Sequence, residues 1–164
     1  MTSFLRKLIF LTIIYAVFIV AILEIIPKDN NSYICEYKRK LEMIEKVSEP
    51  RMILIGGSNV AFGVDSKRLQ DTFGYNIINF GLHAGIGIRY PMEDYLKYAR
   101  KGDIVILQFE YSNFFGGDNG ESGNFSRLIY YIGWKEIMRL NIKQLTNLTG
   151  LSQVALGRLI CLIK

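Results

Sequence analysis

The chain has 164 residues and a formal net charge of +5 at pH 7. Half of its residues are hydrophobic, which excludes a disordered chain, and its charge is too small and too dispersed to indicate nucleic-acid binding. With two cysteines and one histidine, it lacks the residues for a disulfide framework, a zinc site or a His-rich metal centre. The sequence therefore predicts no metal and no other cofactor.

The amino terminus carries an apolar stretch of membrane-spanning length. Leu8–Ile26 contains a single charged residue, Glu24, and at about 1.5 Å per residue it spans about 28 Å, close to the thickness of a bilayer core. Arg6 and Lys7 precede it, which predicts that the rest of the chain is extracytoplasmic. An uncleaved signal anchor is favoured over a cleaved signal peptide, because the apolar run is long and no small-residue pair follows it. A buried core helix is the third interpretation, but the stretch has no polar stripe.

Three parts are predicted along the chain. Residues 1–28 form a cytoplasmic stub and a signal-anchor transmembrane helix, residues 29–50 a linker and an amphipathic helix, and residues 51–164 a partial α/β domain. Apolar side chains at spacings of three and four predict the amphipathic helix over Tyr33–Val47. Pro50 prevents this helix from continuing.

Strands and helices are predicted to alternate after residue 50. Short, continuous apolar runs predict strands that are buried on both faces, as in parallel sheets, and Ile104–Leu107 is the clearest of them. The predicted strands are Met52–Ile55, Tyr75–Phe80 and Ile104–Leu107. Helices are predicted at Ser66–Phe73 (capped by Asp65 or Ser66 and closed by Gly74), at Pro91–Arg100, and from Phe125 onward with a break near Thr149-Gly150. This order predicts an α/β fold with a parallel sheet; since both sheet edges are exposed, we expect the domain to continue beyond these residues.

Candidate site residues follow the predicted strands, because ligands of open parallel sheets lie at the carboxyl ends of strands. The three segments at this edge are Gly56–Asn59, Asn79–Gly85 and Glu110–Asn113. The first is neither a P-loop, since no Lys-Ser/Thr pair follows its second glycine, nor a nucleophile elbow, since Val60 replaces the last glycine. Ser58 is either a plain turn serine or a serine whose hydroxyl points into the crevice, and spacing alone favours neither.

Ile53–Asn59, which reads I-L-I-G-G-S-N, resembles the first sequence block of the SGNH (GDSL-like) hydrolases. Asn79-x-Gly81 resembles the second block, and the third block of that family supplies an asparagine from the loop after the third strand. The subgroup that this chain resembles most is membrane-anchored and takes part in the O-acylation of bacterial surface polysaccharides and teichoic acids. The resemblance covers about residues 51–115 and implies a three-layer, flavodoxin-like α/β fold with a parallel sheet.

The same resemblance implies roles for three residues. Ser58 would be the nucleophile, and its own N–H, the Gly81 N–H and the Asn113 side chain would hold the oxyanion. Donors placed where negative charge develops lower the barrier by about 3–4 kcal/mol each. The chain departs from the family pattern in two places: Gly57 replaces the usual aspartate, and Glu110–Asn113 does not match G-x-N-D.

A larger departure concerns the catalytic base. The family takes a histidine, three residues after an aspartate, from near the carboxyl end, whereas the single histidine of this chain is His83 in the second-block loop. His83 is either a substitute base or, as we favour, a residue that packs in the loop or lines the pocket. An unactivated serine is a poor nucleophile, so we expect little or no esterase activity from these residues alone. The chain is then a truncated member of the family or a catalytically silent one.

The resemblance implies a membrane-anchored ester hydrolase or O-acyltransferase that acts on O-acyl esters of cell-surface glycans. The implied partners are the membrane, an acylated polysaccharide and a membrane-bound O-acyltransferase. Aromatic side chains in the third loop would stack on sugar rings or contribute to the core; they are Phe109, Tyr111, Phe114 and Phe115. The alternatives are a non-catalytic, membrane-anchored accessory or glycan-binding protein and, more weakly, a small membrane protein that only makes protein contacts.

Overall fold

The computed structural model describes residues 2–28 and 32–163, so most of the predicted linker lies outside the described residues. The elements in chain order are α1 (Thr2–Ile25), α2 (Glu36–Lys46), β1 (Arg51–Gly56), α3 (Ser58–Gly63), α4 (Ser66–Phe73), β2 (Asn76–Asn79), α5 (Arg89–Leu96), β3 (Ile104–Gln108), α6 (Tyr111–Phe114), α7 (Ser122–Ile132), α8 (Ile142–Asn147) and α9 (Leu151–Ile163). Single 3₁₀ segments lie at Tyr33–Cys35, Ala84–Ile86, Trp134–Arg139 and Leu148–Gly150.

The strands form a parallel sheet in the order β2-β1-β3. Ile53 at the centre of β1 pairs with Ile78 on one side and with Val105 on the other. The prediction of an α/β fold with three adjacent parallel strands is therefore confirmed. Since all three strands point the same way, the segments that follow them meet at one edge of the sheet.

Helices cover both faces of β1 and β2, because alternate residues of a strand point to opposite faces. Ile53, Ile55 and Ile78 pack against one layer, which consists of α2, α5 and α7. Aromatic side chains fill this layer, with edge-to-face contacts that join Tyr37 to Phe80 and Tyr90 to Phe125. On the other face, the side chains of β1 and β2 pack against α3 and α4; they are Met52, Leu54 and Ile77 with Val60 and Leu69. This is a three-layer arrangement around two of the three strands.

The third strand is where burial was predicted wrongly. Ile104, Val105, Ile106 and Leu107 are 36–51% exposed, although their continuous apolar run predicted burial on both faces. β3 pairs with β1 along one edge, and within the described residues no strand pairs with its other edge. An apolar run predicts a strand, but it does not show whether other parts of the protein cover that strand.

A buried ion pair closes the amino-terminal end of the sheet, opposite the candidate site. Arg51 is fully buried, and its guanidinium donates to both carboxylate oxygens of Asp103, at 2.8 and 2.5 Å, and to the carbonyls of Ile44 and Tyr98. Burial alone raises the pKa of Asp103, but the hydrogen bonds from Arg51 and from the Arg100 N–H outweigh it, so the pKa lies below its usual value. The network joins α2, β1 and the turn before β3.

Helix boundaries agree with the sequence in some places and differ in others. Asp65 caps α4 by accepting a hydrogen bond from the Arg68 N–H, and Gly74 ends the helix with a φ of 71°, as predicted. A break at Leu148–Gly150 also separates α8 from α9 as predicted. By contrast, α5 ends at Leu96 rather than near Arg100, and the predicted loop after β3 contains the short helix α6.

The amino-terminal helix is long and apolar enough to cross a membrane. Most of its side chains are exposed, but Leu23 and Ile26 at its carboxyl end are buried. Leu23 packs with Tyr130 of α7 and with Val154 and Ala155 of α9. The last turns of α1 are therefore fixed to the rest of the protein.

Candidate active site

Ser58 lies at the carboxyl edge of the sheet, where α3 begins directly after β1 and Gly57. The side chain of Ser58 is exposed. The chain at Gly56 passes so close to β3 that an added Cβ would lie 2.2 Å from the Gln108 carbonyl oxygen, so the tight strand-to-helix turn requires glycine there. The sequence predicted a helix some residues later, whereas the structure makes Ser58 itself the first helical residue.

The second-block loop lies at the same edge as Ser58, as predicted, and it packs against the first turn of α3. A Cβ on Gly81 would lie 2.4 Å from the Ala61 nitrogen and 2.7 Å from the Val60 Cβ. Asn79 fixes this contact, because its Nδ2 donates to the Val60 carbonyl and its Oδ1 accepts the Gly81 N–H, both at 2.9 Å. Gly81 is thus beside the helix of Ser58, but its N–H is already used by Asn79.

Lys40 of α2 contacts the same loop, and this contact was not predicted from the sequence. Its Nζ donates to the carbonyl oxygen of Gly81. Burial lowers the pKa of Lys40 from its usual value, although the nearby Glu36 carboxylate acts in the opposite direction. A signal was present: Lys40 lies three residues after Tyr37 and four before Ile44, on the buried face of an amphipathic helix.

The carboxylate of Glu110 lies against Gly57, the residue before Ser58. Its two carboxylate oxygens occupy the space that a side chain at position 57 would need, at 2.2 and 2.4 Å from an added Cβ. Its Oε2 atom is buried and has no hydrogen-bond partner among the described residues. A buried oxygen without a partner is uncommon and needs an explanation such as a functional role. The sequence indicated Glu110 only as the start of the segment after β3, and the absence of a side chain at Gly57 leaves room for its carboxylate.

Asn113, the predicted third oxyanion donor, is buried in α6. Its Nδ2 donates to the Ala84 carbonyl at 3.0 Å and to the Gly117 carbonyl at 3.3 Å, while its Oδ1 has no partner among the described residues. Asn113 therefore ties the third-block loop to the second-block loop. Both amide protons are used in these bonds, and its role as an oxyanion donor stays a prediction.

His83 has an arrangement that suits a structural residue better than a base. Its Nδ1 accepts the Gly85 N–H at 2.9 Å, and its ring lies 6.1 Å from that of Tyr33. A neutral imidazole that accepts through Nδ1 carries its proton on Nε2, so no lone pair is left to take a proton from Ser58. This geometry favours the interpretation of His83 as a residue that packs in the loop.

Exposed aromatic side chains surround this edge. Those that are 61–79% exposed are Phe62, Tyr111, Phe114 and Phe115. The rings of Tyr111 and Phe115 lie 4.5 Å apart, and Phe62 contacts Tyr33 at 5.8 Å. Phe109 instead packs against the core. The third-loop aromatics are thus divided between core and surface, and the exposed rings offer flat faces to an apolar or sugar ligand.

Comparison of this chain with known protein families, with curated proteins and with solved structures found no match. Within residues 2–28 and 32–163, no group of three His, Cys, Asp or Glu side chains is placed to hold a metal ion. Cys35 and Cys161 are not joined to each other. The case for a function therefore depends on the geometry at the carboxyl edge of the sheet.

Proposed function

We propose that this chain is a membrane-anchored, SGNH-like ester hydrolase or O-acyltransferase that acts on acylated cell-surface glycans through Ser58. The observation that carries the proposal is the convergence of three segments on the start of α3. Ser58 is exposed on its first turn, Gly81 packs against that turn, and the Glu110 carboxylate lies against Gly57. An added Cβ would meet the backbone of Ala61 at Gly81 and the carboxylate of Glu110 at Gly57.

The chemistry is acyl transfer in two halves. The Ser58 hydroxyl oxygen attacks the ester carbonyl as a base takes its proton, and the tetrahedral oxyanion then collapses and expels the sugar alkoxide, which is protonated. Acyl-Ser58 is next attacked by water in a hydrolase or by another sugar hydroxyl in a transferase. The base must come within about 2.6–3.2 Å of the serine oxygen, and His83 does not offer a free lone pair in this arrangement.

The second candidate is a non-catalytic accessory or glycan-binding protein with the same crevice. The hydrogen bonds described above favour it, since the Gly81 N–H and both amide protons of Asn113 are used within the protein. Exposed rings such as Tyr111 and Phe115 would then bind the glycan by stacking, without turnover.

Acetate release from an O-acetylated bacterial polysaccharide separates the two candidates. The full chain is reconstituted in phosphatidylglycerol-containing vesicles and assayed with and without imidazole, which supplies a base. The hydrolase proposal expects slow release that imidazole accelerates, complete loss in Ser58→Ala, and no change in Ser66→Ala, whose serine also begins a helix. No release with imidazole, together with glycan binding that Ser58→Ala leaves intact and Tyr111→Ala weakens, would favour the accessory protein instead.

We also propose that α1 is an uncleaved signal anchor with the α/β domain outside the cytoplasm. The length and composition of α1 and the position of Arg6 and Lys7 before its apolar part support this topology. Alkaline phosphatase fused after Lys46 should be active in cells. Activity of a cytoplasmic reporter alone at the same position would reject the topology.

A further inference from the structure

Helix α9 lies alongside the part of α1 that the sequence places within the bilayer. Val154 and Ala155 of α9 pack directly against Leu23 of α1. A groove between the two helices continues this contact, and it is lined from Tyr15 to Ile22 on α1 and from Ser152 to Leu159 on α9. A helix that follows α1 over this distance shares whatever medium surrounds α1.

Polar contacts mark the level at which α1 leaves the bilayer. The Trp134 indole N–H donates to the Glu24 carboxylate at 2.5 Å, and Lys28 Nζ donates to the Tyr130 carbonyl at 2.7 Å. Tryptophan and tyrosine are enriched at the membrane–water interface. Along the axis of α1, Tyr15 lies about 14 Å deeper in the bilayer than Glu24. This distance is close to the thickness of one leaflet of a bilayer core about 30 Å thick.

The outer surface of α9 is apolar and exposed. Leu156 is 60% exposed and Ile160 is 48% exposed, whereas Gly157 and Cys161, which are also exposed, line a cavity together with Arg127 and Arg158. α9 has 13 residues, and apolar segments of about this length are typically buried core helices or interfacial and re-entrant segments. The exposure of its outer side chains excludes the first possibility within the described protein.

Arg158 is the one arginine of α9, and its charged group lies near the membrane–water interface. Arg158 lies near Tyr130, whose hydroxyl donates to the Leu23 carbonyl at 3.1 Å, and the Arg158 Nε atom is buried without a hydrogen-bond partner among the described residues. The guanidinium therefore lies at the level of Leu23, near the Glu24–Trp134 contact. Long basic side chains cover apolar surface with their methylene stems while the charged end reaches polar surroundings. Arg158 is thus compatible with an α9 that is immersed in lipid.

We propose that α9 is a membrane-inserted helix that lies beside α1 in the extracytoplasmic leaflet, with Leu156 and Ile160 facing lipid acyl chains. The inference rests on the proposed role of α1 as a membrane anchor. It fits the chemistry of the surface, since Leu156 and Ile160 are apolar and the groove with α1 is mostly apolar, with Ser152 and Gln153 as its polar lining. It also brings the α/β domain against the membrane at two helices rather than one.

Ile160→Cys provides the test, in full chains that carry Cys35→Ser and Cys161→Ser and are reconstituted at low density in phosphatidylcholine–phosphatidylglycerol vesicles. A membrane-impermeant maleimide is applied to intact vesicles, and total thiols are measured after unfolding in SDS. Two variants, each with Cys161→Ser, set the scale: Met138→Cys, at a position that is 85% exposed outside α9, and Phe10→Cys within α1. We expect Ile160→Cys to react at least tenfold more slowly than Met138→Cys and about as slowly as Phe10→Cys.

Three other labelling results would each contradict the proposal, and each has a different structural explanation. Labelling of Ile160→Cys at the rate of Met138→Cys, with Phe10→Cys still protected, would place α9 in water while α1 remains an anchor. Rapid labelling of Phe10→Cys as well would remove the anchor itself. Protection of Ile160→Cys that disappears as the chain is diluted further in lipid would show that a second copy, rather than lipid, covers this face of α9.

Tryptophan quenching gives a second measurement that does not depend on thiol chemistry. Trp134 is the single tryptophan, so Trp134→Phe provides a silent background for Ile160→Trp or Met138→Trp. Lipids brominated on their acyl chains should quench the tryptophan at position 160 several-fold more than the one at position 138. Equal, weak quenching at both positions would contradict insertion of α9.

Discussion

Replacing Gly81 with alanine tests whether the second-block loop is pressed against the helix of Ser58. The new Cβ would lie 2.4 Å from the Ala61 backbone nitrogen and 2.7 Å from the Val60 Cβ, whereas ordinary contacts are 3.4–4 Å, so loop and helix must separate by about 1 Å. Val60 is almost fully buried, and its carbonyl accepts the bond from Asn79 that this separation would break. Overpacking of this kind costs about 1–3 kcal/mol, and we expect the free energy of unfolding to fall by about 2 kcal/mol.

The matched control is Gly63→Ala at the other end of α3, where an added Cβ meets no heavy atom within 4 Å. This variant should be unchanged or stabilised by up to about 1 kcal/mol, because alanine restricts the unfolded chain more than glycine does. Urea titration of the full chain in detergent micelles, followed by near-UV circular dichroism, measures both. Equal midpoints for Gly81→Ala and Gly63→Ala would refute the packing of the loop against α3, and with it the proximity of Gly81 to Ser58.

Two further predictions concern stability. Asp103→Asn leaves the buried Arg51 charge without its counter-ion and should lower the free energy of unfolding by about 3–5 kcal/mol at pH 7. The pKa of Asp103 in the folded protein lies below its value in the unfolded chain, so the stabilisation is complete above the usual carboxyl pKa and is lost as pH falls below about 4. The urea midpoints of the unchanged protein and of Asp103→Asn should therefore converge at acidic pH. A constant difference between them down to pH 2 would contradict this. Ile53→Ala in the buried centre of β1 should cost about 2–5 kcal/mol, whereas Ile106→Ala, at a side chain 43% exposed on β3, should cost less than half as much, and equal losses in thermal unfolding would show that β3 is covered.

The sheet was predictable because each strand is a short apolar run with a turn at its end. Alternation of strands and helices then predicted parallel pairing, and parallel pairing predicted which segments share an edge. Burial of Ile104–Leu107 was predicted wrongly. The apolar composition of a strand does not show whether other elements pack against it. The start of α3 was missed because G-G-S-N is typical of a turn, whereas in the structure the Ala61 N–H donates to the Gly57 carbonyl and begins a helix.

For the candidate site, the sequence indicated the positions but not their hydrogen bonds. Ser58, Gly81 and the third-block segment were expected at one edge, and contacts across the edge bring them together. The use of the Gly81 N–H by Asn79 and of Asn113 by two carbonyls depends on loop conformations that no residue spacing specifies. The same holds for the Glu110 carboxylate, whose place beside Gly57 follows from the pairing of β1 with β3.

The most direct test of the central claim, that Ser58 is the nucleophile of an acyl-transfer site, is fluorophosphonate labelling of the full chain with the modified residue mapped by peptide mass spectrometry. We predict slow labelling in buffer and, with imidazole present, labelling of Ser58 at least tenfold faster than that of Ser66, lost in Ser58→Ala. Labelling of Ser58 no faster than that of Ser66 with imidazole would contradict the claim. Rapid labelling without imidazole that vanishes in His83→Gln would contradict the structural role assigned to His83 and make it the base.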